Sequence, residues 1–187
     1  KFETLTDEYE DLRLQMLSVD VQSMILKEDI CKLSDNNLLT EELHETARKV
    51  SFLENAHGWD DPTVWQGKEK FFLLELRHWW LTTKEIEACE NNKTWALYFY
   101  SNKGDCPKCQ QQGTILTHVR QKNKDFMIYH FDINMDTVAL KTVKQLYNVT
   151  GGEELPVVVI DGEKHEGYQT MDELTAILNT TNTTNTP

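Results

Sequence analysis

The sequence predicts an α/β domain over residues 93–178, built on a four-stranded mixed sheet and preceded by an all-α region over residues 1–92. Three observations predict it. Apolar residues recur every three or four positions through the first part of the chain, the period of a helix face. From Thr94 they come instead in short unbroken runs that alternate with helical stripes. Between the first run and the first of those stripes stands "GDCPKCQQQG", with Cys106 and Cys109 two residues apart.

The helical region starts with a heptad. Phe2, Leu5, Tyr9, Leu12, Met16, Val19, Leu26, Ile30 and Leu33 alternate by three and four, and only Ser23 interrupts the run. A second stripe of Leu14, Leu17, Val21 and Met24 widens the apolar face, so a bundle fits as well as a two-stranded coil. "SDNN" at Ser34 to Asn37 breaks the helix. A second helix follows from about Thr40 to Ala56, and "HGWDDP" ends it. A third runs from about Lys68 to Glu90. Its "FFLLELRHWWL" is too short and too charged to span a bilayer and reads as a buried face.

In the second half, "TWALYFYS" is a strand by composition. A helix is expected to begin at the cysteines. "FMIYHFDI" is a second strand, and "MDTVALKTVKQLYNV" a second helix capped by Asn134. "PVVVI" and "EKHEG" form a hairpin about the turn Asp161-Gly162. "TMDE" opens the last helix as a capping box, with Thr170 and Glu173 in its two roles. The order is β-α-β-α-β-β-α. Helical crossovers predict that the first three strands are parallel and that the hairpin adds an antiparallel edge. Residues 179–187, rich in Asn and Thr, read as a disordered tail.

The chain has 187 residues and a net charge of −12. That charge argues against nucleic acid or an anionic membrane surface as a partner. The excess lies in the first half: Lys1 to Lys93 holds 11 basic and 20 acidic residues, and Thr94 onward holds 8 and 11. A solubilising helical surface accounts for it. The chain opens at Lys1 without an initiator methionine, which predicts processing or trimming, with any signal or anchor upstream. Sequons at Asn92 and Asn148, and two more in the tail at Asn179 and Asn182, fit an extracytoplasmic protein that carries glycans.

The four cysteines allow three pairings. Cys31 and Cys89 lie in different helical segments, and a structural disulfide between them would close a long loop, worth on the order of 3–4 kcal/mol. Two buried free thiols are the alternative. For Cys106 and Cys109, zinc would need a second pair of ligands, and His118, His130 and His165 show no paired spacing. No metal and no organic cofactor is therefore expected. A C-x-x-C after a strand and at the start of a helix reads as a redox pair. The helix N-terminus stabilises a thiolate, which makes Cys106 the attacking sulfur and Cys109, one turn in, the resolving one. Pro107 suits the first turn, and the Lys108 cation would lower the Cys106 pKa further.

From Thr94 to Leu178 the chain resembles the thioredoxin-like superfamily. "FYSNKGDCPKC", "YNVTGGEELPVVVIDG" and "EGYQTMDEL" match its strand–loop–redox motif, its proline before a hairpin, and its turn into the last helix, in order. Pro directly after the first cysteine is shared with glutaredoxins and exported DsbA-type proteins. The resemblance implies that Pro156 is cis and sits beside the cysteines, that Leu155 pairs through its backbone with an extended substrate, and that Gly167 and Tyr168 flank the same groove. Where thioredoxins carry a buried acid on the first strand, this chain has Tyr98.

The function expected is an exported thiol–disulfide oxidoreductase. Its partners would be protein thiols or disulfides and a membrane or soluble redox protein that recycles the pair, with the N-terminal helices holding a homodimer. The rival reading is a binding module that uses the same domain for docking. A third is an electron carrier dedicated to one partner.

Overall fold

The long amphipathic helix begins earlier than its apolar run, at Pro62 rather than Lys68. Asp61 caps it, accepting from the Thr63 N–H at 2.7 Å, and Pro62 occupies the first helical position, where no N–H is needed. "DDP" is thus a start signal as well as a stop. A computed structural model describes residues 18, 21, 30–32, 38–89, 91–151 and 154–184. Apart from Ile30 and Val21, the heptad and its second stripe lie outside the described residues.

A short 3-10 turn (Ile30–Lys32) precedes α1 (Leu38–His57) and α2 (Pro62–Ala88). Then follow β1 (Thr94–Tyr100), α3 (Cys109–Lys122), β2 (Phe126–Asp132), α4 (Val138–Leu146), β3 (Val157–Ile160), β4 (Glu163–Glu166) and α5 (Met171–Thr184). Gly58 ends α1 at φ +89°, and its N–H reaches back to the Glu54 carbonyl at 2.9 Å. The cap of α4 is Thr137, bonded to the Leu140 N–H at 3.1 Å, and not Asn134, whose side chain goes to Asp132 and Ser101. The capping box of α5 forms as read: Thr170 N–H donates to Glu173 Oε2 at 2.8 Å, and Glu173 N–H to Thr170 Oγ1 at 3.3 Å. This helix runs on through Thr184, past Leu178.

The sheet has the order β2-β1-β3-β4. β1 and β2 are parallel, with Thr94 opposite Phe126. β3 is antiparallel to β1, with Phe99 opposite Val157. The expectation of three parallel strands is therefore corrected. The reason is the connection after α4. That helix carries the chain away from the end where β2 finishes, and residues 147–156 then bring it back. β3 consequently starts where β1 ends, and Pro156 arrives beside the loop that leaves β1. The Asp161-Gly162 hairpin has both residues at positive φ, as a primed turn requires, and returns the chain to the same end through β4.

Both faces of the sheet are covered, which is why its strands read as unbroken apolar runs. On one face Trp95, Leu97, Phe99, Tyr129, Phe131, Val157 and Val159 pack against Leu140 and Val143 of α4 and against Phe72 and Trp79 of α2. On the other, Ala96, Ile128, Val158 and Ile160 meet Leu116 of α3 and Leu174 of α5. The Phe72 and Phe131 rings meet edge-on at 5.1 Å, and those of Trp79 and Trp95 at 5.7 Å. The aromatic run of α2 is core, and that core is shared with the sheet. Leu39, Leu74 and Leu81 fasten α1 to α2.

Cys31 and Cys89 form a disulfide, with Cα atoms 5.6 Å apart and a sequence separation of 58. It pins the turn before α1 to the end of α2. Replacing both by Ser should lower the unfolding free energy by about 3–4 kcal/mol, read from denaturant titration. An unchanged midpoint would show that the crosslink carries no stability.

His78 of α2 lies between Thr40 Oγ1, 3.0 Å from Nε2, and the Tyr129 hydroxyl, 2.8 Å from Nδ1. Burial, aided by the charges of Lys93 and Arg120, lowers its pKa from 6.5 to about 4. The folded chain thus keeps His78 neutral while the unfolded chain protonates it. Stability is complete above about pH 6.5 and falls as pH drops toward 4, by on the order of 3 kcal/mol. In His78→Gln the acid side of the stability–pH curve should flatten. A curve as steep as the wild type's would count against this role.

Candidate redox site

The chain leaves β1 at Tyr100 and reaches the cysteines through a loop. α3 begins at the second cysteine, not the first, with Lys108 as its N-cap. Cys106, Pro107 and Lys108 make the turn before it, closed by the Cys109 N–H on the Cys106 carbonyl at 3.3 Å. The two sulfurs are joined in a disulfide whose Cα atoms are 5.4 Å apart. Cys106 is half-buried, while Cys109 is 5 % exposed. The first cysteine keeps contact with solvent, and the second lies on the buried face of α3. Cys106 lies in the turn just before the first turn of α3, so a thiolate formed there would stand near the positive end of that helix.

Three segments converge on this end. The Leu155–Pro156 bond is cis and leads directly into Val157, opposite Phe99. β4 ends at Glu166, paired with Val157. Gly167 follows at φ +74°, a conformation open to glycine, and its N–H donates to the Glu154 carbonyl at 2.9 Å. Tyr168 comes next, its ring 5.2 Å from Lys108 Nζ. Lys108 is also 3.2 Å from Gln111 Oε1, so the structure directs this ammonium to Tyr168 and Gln111. Asn92 and the Cys31–Cys89 bridge belong to the opposite end of β1, before Thr94. Asn148 is exposed beyond α4.

Other groups emerge only from the packing. Gln112, fully buried, accepts from the Gln169 N–H at 2.7 Å and so holds the segment after Gly167 against α3. Its spacing of three from Cys109 is the signal that could have found it, since 109, 112, 116 and 119 are the buried positions of that helix. Tyr98 donates to the Cys109 carbonyl at 2.6 Å, and burial pushes its hydroxyl pKa up, so it remains a donor. On this side of the pair a cleft of about 580 Å³ opens, walled by Ala47, Val50 and Phe71 of the helical region and by Tyr98, Tyr100 and both cysteines.

The helical region also grips the cysteine loop. Lys68, 5 % exposed, pairs with Glu54 at 2.8 Å and lies 3.9 Å from Asp132. Asn102 donates to Glu54 at 3.3 Å, and Asn134 donates to Ser101 Oγ at 2.7 Å and to Asp132 at 2.9 Å. No sequence period announces these contacts.

No protein-family model matches the chain, and no curated protein matches it. The site therefore stands on its own geometry: an α/β protein with a mixed four-stranded sheet and a C-x-x-C disulfide at the start of a helix.

Gln112→Ala should leave the Gln169 N–H without its acceptor, cost about 1–3 kcal/mol and speed exchange of that amide. Gln112→Glu, which keeps the acceptor, should restore protection. Equal protection in both variants would remove Gln112 from this role.

Proposed function

We propose that this protein is a thiol–disulfide oxidoreductase whose second half is a thioredoxin-like domain and whose active couple is Cys106/Cys109. One observation carries the reading: the two cysteines of one short disulfide loop differ in exposure, the first half-buried and the second buried, at the N-terminal end of a helix. A staple gains nothing from that asymmetry. An exchange reaction needs it, because only one sulfur is to meet the substrate.

In the reducing direction the Cys106 thiolate attacks a substrate disulfide, and Cys109 then attacks Cys106 in the mixed disulfide and frees the substrate. In the oxidising direction a substrate thiolate attacks the Cys106 sulfur of the closed pair. Leu155, cis-Pro156, Gly167 and Tyr168 form the groove along which an extended substrate segment lies. Pro107 and Lys108 tune the couple. The Cys31–Cys89 disulfide favours an oxidising compartment, hence an extracytoplasmic site with a separate redox partner to recycle the pair. Among the described residues no helix is long and apolar enough to cross a membrane. The N-terminal heptad would join two copies or recruit that partner.

Cys106→Ser should abolish both insulin reduction and oxidative refolding. Undiminished activity in that variant would sink the enzyme reading. Direction follows from the reduction potential, measured by equilibration with glutathione: a value near −120 mV marks a disulfide donor and one near −270 mV a reductase.

A further inference from the structure

The cleft between the helical half of the chain and the cysteine pair has a volume of about 580 Å³, and the exchange reaction as written does not use it. Cys106 and Cys109 both line it, whereas Leu155, Pro156, Gly167 and Tyr168 do not. It is a surface distinct from the groove beside Pro156, on the helical side of the same pair. Ala47 and Val50 of α1 and Phe71 of α2 form one wall, and Tyr98 and Tyr100 of β1 form the other. The two tyrosine rings stack, with centroids 5.4 Å apart and planes 23° from parallel, and so present a flat aromatic surface. The polar groups of the cleft are largely engaged. Lys68 pairs with Glu54 at 2.8 Å, Asn102 donates to Glu54 at 3.3 Å, and the Tyr98 hydroxyl donates to the Cys109 carbonyl at 2.6 Å. What is left to a ligand is mainly apolar and aromatic surface.

Gly113 also lines this cleft, one turn along α3 from Cys109. Glycine inside a helix weakens it relative to alanine. Neither backbone nor packing asks for glycine here. The residue is helical, and a Cβ on it would meet only Tyr98, at 3.7 Å, an ordinary contact. Gly67 of α2 is the contrast: a Cβ there would stand 3.2 Å from Val50 Cγ2, so the approach of α1 to α2 uses that glycine. The effect of Gly113 is to leave the cleft bare beside the sulfurs.

We propose that this cleft receives an aromatic side chain of a polypeptide substrate, from a residue next to the cysteine that Cys106 engages; this rests on the reading of Cys106/Cys109 as a redox couple. Successive residues of an extended chain are about 3.3 Å apart. With the substrate cysteine on Cys106, which itself lines the cleft, the side chain of an adjacent residue is within reach of it. Its ring would lie between Phe71 and the stacked Tyr98 and Tyr100 and displace water from all three. Further apolar surface is exposed on the same stretch of α1 and on the turn after it, at Phe52 and Trp59. Large apolar side chains beside a cysteine are mostly buried in folded proteins. The substrate class is therefore unfolded or partly folded chains, and the helical region selects them.

The test uses two peptides that differ only in the residues flanking a single cysteine, Trp in one and Ala in the other, each presented as its symmetrical disulfide. Glutathione disulfide is the third substrate. Cys106 of the reduced protein bonds one peptide sulfur and the other peptide leaves as its thiolate. Cys109 then displaces the first peptide, so the protein pair is oxidised, both peptides are reduced, and the two cysteine protons end on the released thiols. At limiting substrate the wild type should reduce the Trp peptide about tenfold faster than the Ala peptide. Gly113→Leu and Ala47→Leu fill the cleft from opposite walls, and in both the ratio should fall toward unity. Circular dichroism checks folding, and if Gly113→Leu does not fold, Ala47→Leu decides. A wild type that reduces both peptides equally overturns the proposal, as does a preference that survives in the folded variants. Glutathione disulfide reduced as fast as the Trp peptide overturns it too, since the cleft would then serve a small thiol. Those results leave the redox couple standing. A wild type that reduces none of the three substrates overturns the redox reading itself, and the role of the cleft falls with it.

Discussion

The packing of α2 along β2 is the contact on which the rest of the structure depends. Phe72 and Trp79 give one stripe of that helix to the core beneath the sheet. Glu75 gives the next stripe to the open edge of β2. Lys68 reaches the end of the same strand, and His78 bonds its Tyr129 hydroxyl. A single helix thus closes a hydrophobic face, covers a strand edge and anchors the loop before the cysteines. The change from helical to strand periodicity near residue 93 is not a break in the core.

That arrangement puts the cysteine pair between two walls of different origin. On one side stand the segments around Pro156 and Gly167, which the antiparallel β3–β4 hairpin delivers to the end of β1. On the other stand α1 and α2 across a cleft lined by Tyr98 and Tyr100. The sheet half alone would leave that second side open. The helices supply the ion pair that steadies the loop and the carboxylate that faces His130. Electrostatics that would be weak in water gain strength there, because Lys68, Glu75 and Asp132 are all buried.

Local chemistry made most of the elements readable. The Thr170–Glu173 box, the Asp161-Gly162 turn and the apolar runs of β1, β2 and β3 each follow from a few adjacent residues. So did the asymmetry of Cys106 and Cys109, which needs only a strand before them and a helix after. The misreadings were also local. Asp61-Pro62 can close one helix or open another, and Asn134 and Thr137 are both competent caps, so the choice fell to contacts far away in sequence.

The sequence by itself determined that a C-x-x-C pair sits at a strand–helix junction, that a proline precedes a hairpin, and that helices come first. Only the tertiary structure decided the direction of β3, because strand direction depends on how far a connecting loop travels, and loops carry no periodic signal. Only it gave Gln112, Tyr98, Glu75 and Lys68 their partners. Each is an ordinary polar residue in its own helix or strand. It acquires a role when folding brings it, buried, within hydrogen-bond reach of a group 11 to 57 positions away, as with Tyr98 and Cys109 or Gln112 and Gln169.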